Sequence, residues 1–209
     1  MEYTLIRKRK NKKAYLRVKD GAVVVTAPFT MPKREIDQMV EGNKAWILEQ
    51  LNKQKVSYFE DGTIFQVLHE TYTLKVYPDL KKAGINNHVL YVKNLDWSLK
   101  EILKKWFYSI AIQRFDLISQ RLNIHGYTLK IGFYKSKWGS CTPAKKIITL
   151  NAYLLFTDIE IIDAIIYHEF AHTKYFNHSS AFYNQVLTWY PSYYIHHKRL
   201  NSLHYPRIK

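Results

Sequence analysis

His168, Glu169, His172 and His178 place three imidazoles and one carboxylate within eleven residues. On a helix, residues four apart project from one face with Cβ atoms about 5–6 Å apart. Two imidazoles so placed can share one Zn2+ at Zn–N bonds of about 2.0–2.1 Å. Glu169 stands next to His168, so its carboxylate can flank the ion without ligating it. There it can take a proton from a water that the metal acidifies towards a pKa of about 7. A His-Glu-x-x-His run arises by chance roughly 0.02 times in a chain of this composition, so its occurrence on a predicted helix points to a catalytic metal site.

The third ligand is narrowed by what the chain lacks. Glu169 is the last acidic residue, which leaves His178, His196, His197 and His204 as downstream candidates. His178 follows His172 by six residues, the spacing of the metzincin pattern. That pattern has Gly where this chain has Tyr175, and its Met-turn has no counterpart, since the methionines are Met1, Met31 and Met39. The chain is expected to turn at Asn177 instead, because Asn tolerates the left-handed conformation. His196, His197 and His204 are expected as surface imidazoles or as groups that orient the ligands.

The elements that must position these groups follow from periodicity. Ile161, Ile162, Ile165 and Ile166 predict an amphipathic helix opened near Thr157-Asp158, with a shorter helix after Ser179 or Ser180 and a last one over 192–203. Upstream, Leu99, Ile102, Leu103, Trp106, Ile110, Ile118 and Leu122 define a long helix ending near Asn123. Two strands are expected at 127–134 and 147–150, joined through Ser136 to Pro143. The N-terminal half reads as strand-rich. Asp20-Gly21 predicts a hairpin turn, Pro28 ends a strand, and one helix runs from Thr30-Pro32 through Leu51 with Gly42 as its weak point. Tyr58–Val92 forms a second strand-rich block with turns at Asp61-Gly62 and Asn86-Asn87. A change from strand to helix near residue 95 divides the chain into 1–95, a β-rich subdomain, and 96–209, which carries the metal motif.

At 209 residues with 47% hydrophobic side chains, the chain has enough apolar material for a packed core. Its single cysteine, Cys141, excludes an internal disulfide and a cysteine-based zinc finger. No apolar run approaches the about 20 residues of a membrane span, and the basic N-terminus lacks a signal-peptide core, so a cytoplasmic protein is expected. The net charge of +15 is shared between 1–95 (17 basic, 10 acidic) and 96–209 (15 basic, 7 acidic). Such a field favours nucleic acid, nucleotides or acidic peptides as partners. The oligomeric state is left open.

The ordered motifs resemble those of the YgjP-like metallopeptidase-like family, related to SprT-type and minigluzincin zinc proteins. The resemblance rests on Asp20-Gly21, Ala27-Pro28, Trp46, Ser136-Lys137-Trp138-Gly139-Ser140-Cys141, Leu150-Asn151, the stretch from His168 to Ser179, and Pro191-Ser192-Tyr193. Lys137 replaces the family's Arg and cannot offer its planar fork. The resemblance implies an α+β, zincin-like metallopeptidase domain, its active-site helix packed on a β-sheet, after a β-rich N-terminal part. Lys137, Trp138, Gly139 and Ser140 are expected beside the cleft, with Asn151 and Tyr193 as polar groups within it. The leading expectation is a Zn2+-dependent peptidase acting on a peptide or protein. The alternatives are a metal-dependent hydrolase of nucleotides or other phosphate compounds, and a DNA-associated protease of the SprT kind.

Overall fold

The computed structural model describes residues 1–19, 21–53, 58–200, 203 and 205–208. The chain forms two compact units, Met1–Ser57 and Tyr58–Lys209. In the first, β1 (Thr4–Arg7), β2 (Tyr15–Lys19) and β3 (Ala22–Ala27) form a sheet in the order β1-β3-β2, with β1 parallel and β2 antiparallel to β3. Asp20 of the expected turn lies outside the described residues, while Gly21 has the positive φ of 77° that such a turn requires. Alternation buries Val23, Val25 and Ala27 against Ile36, Val40 and Ile47 of α1 (Lys33–Gly42) and α2 (Lys44–Lys53). The single helix expected there is two. Asn43 ends the first one, its side-chain amide donating to the Met39 carbonyl at 2.7 Å alongside its own backbone N–H at 3.2 Å.

The second unit begins with β4 (Ile64–Val67), β5 (Glu70–Val76), β6 (Gly84–Asn86) and β7 (Val89–Val92), ordered β4-β5-β7-β6. Its two tight turns place Leu68-His69 and Asn87-His88 at positive φ. The first carries no glycine signal, and the second lies one residue beyond the expected Asn86-Asn87. The long helix α3 (Trp97–Leu122) ends at left-handed Asn123, as its periodicity predicted. A second sheet then forms from β8 (Thr128–Gly132), β9 (Gly139–Thr142) and β10 (Ile147–Asn151), followed by α4 (Ile159–Ala171), α5 (Ser180–Trp189) and α6 (Tyr193–Arg199). The fold is mixed α+β.

Two sequence expectations change here. Residues 139–142, expected in a connecting segment, form an edge strand in the order β8-β10-β9, pairing antiparallel with β10. Because β8 and β10 are parallel, the chain must cross between them, and β9 uses that crossing. The strand-to-helix change near residue 95 does not interrupt the core: Phe65, Leu74 and Leu90 share one apolar cluster with Leu103, Phe107, Ile162 and Phe170.

The helix that carries the histidine pair is buried on almost every side and packs on β9, β10, α3, α5 and α6. It is the all-round apolar helix of a core, where the isoleucines predicted an amphipathic helix with one buried face. Its one described ion pair to α3 is a fork. Arg114 Nε donates to Asp163 Oδ1 at 2.8 Å and a second guanidinium nitrogen donates to Oδ2 at 2.5 Å. Arg121 adds a bond to the Tyr167 hydroxyl at 3.1 Å.

Candidate metal centre

His168 lies in the last turn of α4, and His172 is its C-terminal cap at φ −66°, ψ −10°. The chain then turns through Thr173–Tyr175. Backbone N–H groups of Thr173, Lys174 and Tyr175 donate to the carbonyls of Phe170 and Ala171 at 3.0–3.1 Å. Asn177 is not among the residues at positive φ, so the bend at Phe176-Asn177 is made without the left-handed conformation expected there. Ser179 caps α5 by accepting from the Phe182 N–H at 3.4 Å, and His178 immediately precedes it. One imidazole nitrogen from each of His168, His172 and His178 falls within 4.8 Å of the others.

Hydrogen bonds at the far side of each ring bear on which nitrogen is free. His172 Nδ1 faces the Tyr175 carbonyl at 2.9 Å, and since a carbonyl only accepts, Nδ1 carries the proton and Nε2 presents a lone pair. His168 Nδ1 lies 2.8 Å from the Tyr193 hydroxyl, and His168 Nε2 lies 3.0 Å from His178 Nε2. With Nδ1 donating to Tyr193, His168 too turns a lone pair inward. Burial, reinforced by the charges of His172, His178 and His197, lowers the His168 pKa to about 3, and burial also lowers that of His172. Both rings are therefore neutral at neutral pH, the form that binds a metal. The side chain of Phe182 forms the floor, its centroid 4.8 Å from His168, 4.6 Å from His172 and 4.9 Å from His178.

Glu169 is 3% exposed and its Oε2 has no hydrogen-bond partner. Burial raises its pKa to about 8, with the charge of Lys137 pulling it back. The carboxylate lies against Gly139 of β9, where an added Cβ would come within 2.8 Å of Glu169 Cγ and Cδ and closer still to Oε1. Glycine is required there for close approach and not for its dihedral freedom. A buried carboxylate without a partner, beside three convergent imidazoles, matches the donor set of an open three-histidine zinc site.

The cleft above these groups has a volume of about 550 Å3. Lys137, Trp138, Gly139, Ser140 and Cys141 line it. Burial, and then the charge of Glu169, raises the Cys141 pKa to about 11, which keeps the thiol protonated. Asn151 and Tyr193, expected as cleft groups, do not line it. Asn151 is buried and clamps the approach to β9: Nδ2 donates to the Tyr134 and Lys137 carbonyls at 2.9 and 2.8 Å, and Oδ1 accepts from the Tyr153 N–H. Tyr193 is buried with its hydroxyl on His168. Both work from behind the site. His197 lines the cleft outside the three-histidine cluster, its ring 5.0 Å from that of Tyr193 and tilted to it by 34°. His196 instead contacts the Tyr190 hydroxyl at 2.7 Å, and His204 lies outside the described residues. Phe176, Tyr183 and the floor residue Phe182 escaped the sequence reading. The only sequence signal for Phe182 is its place three residues after the Ser179 cap.

The family model described as "YgjP-like, metallopeptidase domain" matches residues 12–203. The chain belongs to the YgjP-like metallopeptidase-domain family. Among solved structures, it is similar to the metallopeptidase zymogen of Pyrococcus abyssi abylysin, at 22% identity over 43% of this chain and 90% of that one, with a TM-score of 0.40. It is also similar to the metallopeptidase zymogen of Methanocaldococcus jannaschii jannalysin, at 28% identity over 38% of this chain and 81% of that one, with a TM-score of 0.35. Comparison with curated proteins gave no match. Among the described residues, no helix is long and apolar enough to cross a membrane.

Proposed function

We propose that the chain is a zinc-dependent peptidase in which His168, His172 and His178 hold the ion and Glu169 is the general base. The observation that carries this reading is the buried, unpartnered Glu169 carboxylate beside three imidazole nitrogens within 4.8 Å of one another. Zn2+ held by these residues supplies a Lewis acid that acidifies water and polarises a carbonyl. Glu169 would accept the proton of the attacking water and pass it to the leaving amine. Tyr193 and the Tyr175 carbonyl hold the ligand rings in register. At the sheet edge, β9 offers unpaired main-chain groups to which an extended peptide can add as a further strand beside Glu169.

A second reading, hydrolysis of nucleotides or other phosphate compounds, is favoured only by Lys137, whose ammonium lies at the cleft and donates to Ser140 Oγ at 3.1 Å. The zinc-loaded protein is to be assayed against an unstructured protein and against nucleoside triphosphates. Peptide-bond cleavage alone is expected, and phosphate release alone would reverse the order of the two readings. Glu169→Gln should retain one zinc by metal analysis while losing turnover by about 10²–10⁴-fold. Wild-type turnover in that variant would remove Glu169 from its role.

A further inference from the structure

The N-terminal unit holds a surface that the metal centre does not use. Between Tyr3 and Lys19 the chain carries eight Lys and Arg and no Asp or Glu, against a net +15 for the whole protein. The fold sorts these charges. Glu35, Asp37, Glu41 and Glu49 lie on α1 and α2 beside Lys33, Arg34, Lys44 and Lys53, and these helices cover the inner face of the sheet, while Glu2 precedes β1. On the outer face, register aligns Ile6, Thr26 and Tyr15 in one cross-strand row and Thr4, Val24 and Arg17 in the next. Tyr15 is 50% exposed, and Arg17 is exposed beside it. The β1–β2 connection adds exposed Lys8, Arg9, Lys10, Lys12 and Lys13. Arg9 lies 6.0 Å from the ring of Phe29, itself 60% exposed just beyond β3. Arg7 is not part of this surface, because its guanidinium donates to the Pro28 and Met31 carbonyls.

We infer that this outer face binds single-stranded nucleic acid, with Tyr15 and Phe29 stacking on bases and the Lys8–Lys13 loop and Arg17 holding phosphates. Charge complementarity selects a polyanion. Two exposed aromatic rings among the cations favour unpaired bases, since every base offers a face for stacking and a duplex hides it. Both helices of the unit lie on the opposite face, so the basic surface is made of strands and the β1–β2 connection alone. This surface involves no residue of the metal centre, so the inference stands apart from the proposed peptidase activity.

The test is fluorescence anisotropy of labelled dT and U oligonucleotides of about 20 nucleotides with the full-length protein, at about 50 and 200 mM salt. A duplex of equal length and vesicles containing phosphatidylserine are measured in parallel. One or both single strands should bind more tightly than the duplex and the vesicles, and the tighter of the two identifies DNA or RNA as the ligand. The double variant Tyr15→Ala/Phe29→Ala should weaken binding about tenfold or more, while Tyr15→Phe keeps the wild-type affinity. The triple variant Lys10→Gln/Lys12→Gln/Lys13→Gln should reduce the slope of log K against log salt by about 2. Circular dichroism and zinc content serve as folding controls, and both substituted rings are exposed. The inference is overturned if single strands fail to bind at about 50 mM salt, if duplex or vesicles bind more tightly, or if the folded aromatic variant retains full affinity.

Discussion

Two buried acids on α4 meet opposite fates. Asp163 is held in the fork of Arg114, whereas Glu169 has only the distant charge of Lys137 against the cost of burial. In the metal-free protein this gives a pH dependence of definite sign. The folded-state pKa of Glu169, about 8, lies above its unfolded value near 4.5, so the folded form holds the extra proton across that window. The contribution of Glu169 to stability therefore falls as pH rises from about 4.5 to 8. His168, with its pKa lowered to about 3, acts in the opposite sense below about 6.5 but is common to both proteins compared. Chelated Glu169→Gln should match chelated wild type near pH 5 and exceed it near pH 8 by a few kcal/mol, read from denaturant unfolding. Equal stability at both pH values would contradict the burial-driven shift. The grouping of His168 with His172 was legible in the sequence because helical spacing alone puts them on one face, with Glu169 next in the chain. Whether Asn151 and Tyr193 face the cleft or make structural hydrogen bonds was not legible, because the direction of a side chain near a cleft depends on packing that no local pattern encodes.

At the scale of elements, the site depends on how firmly α4 is tied to its neighbours. Removing one partner of the Arg114–Asp163 fork leaves a buried carboxylate uncompensated. A fully buried pair would lose about 3–5 kcal/mol, and the 32% exposure of the Arg114 side chain reduces this. Arg114→Met should therefore cost about 2 kcal/mol in denaturant unfolding, and Arg114→Met/Asp163→Leu should recover most of it. If the single variant costs nothing, the fork does not secure the helix. The long helix α3 was readable over its whole length, since sustained 3.6-residue periodicity is the strongest local signal. The strand β9 was not, because Gly139-Ser140-Cys141-Thr142 has Thr142 as its one β-branched residue and no aromatic one, and is held by β10 and by Asn151. Leu68-His69 turns at positive φ without a glycine, so tertiary pairing of β4 with β5 overrides its local preference.

For the whole molecule, metal binding is stability confined to one unit. Free Zn2+ at about a thousand times its dissociation constant should stabilise the second unit by about 4 kcal/mol, seen as slowed hydrogen exchange of α4 amides. Tyr15→Ala, in the first unit, should leave that increment unchanged. An absent increment would argue against a preformed site. The fold class was legible from the order of strands and helices. The division at Ser57 and Tyr58 was not, because composition changes near residue 95 while the core runs through it. Net charge by halves concealed the cluster of Lys8–Lys13 and Arg17 in the first unit, and only strand register sets Arg17 on one face with Tyr15.

The bond from His172 to the main-chain oxygen of Tyr175 bears on how such sites tolerate change over evolutionary time. A carbonyl belongs to every residue type, so the side chain at 175 can vary while the ring stays aligned, and tyrosine can stand where another pattern has glycine. Length has no such latitude. One residue inserted between His172 and His178 would move the accepting oxygen and the third imidazole together. Insertions and deletions in this segment should therefore be far rarer among functional descendants than substitutions at 175.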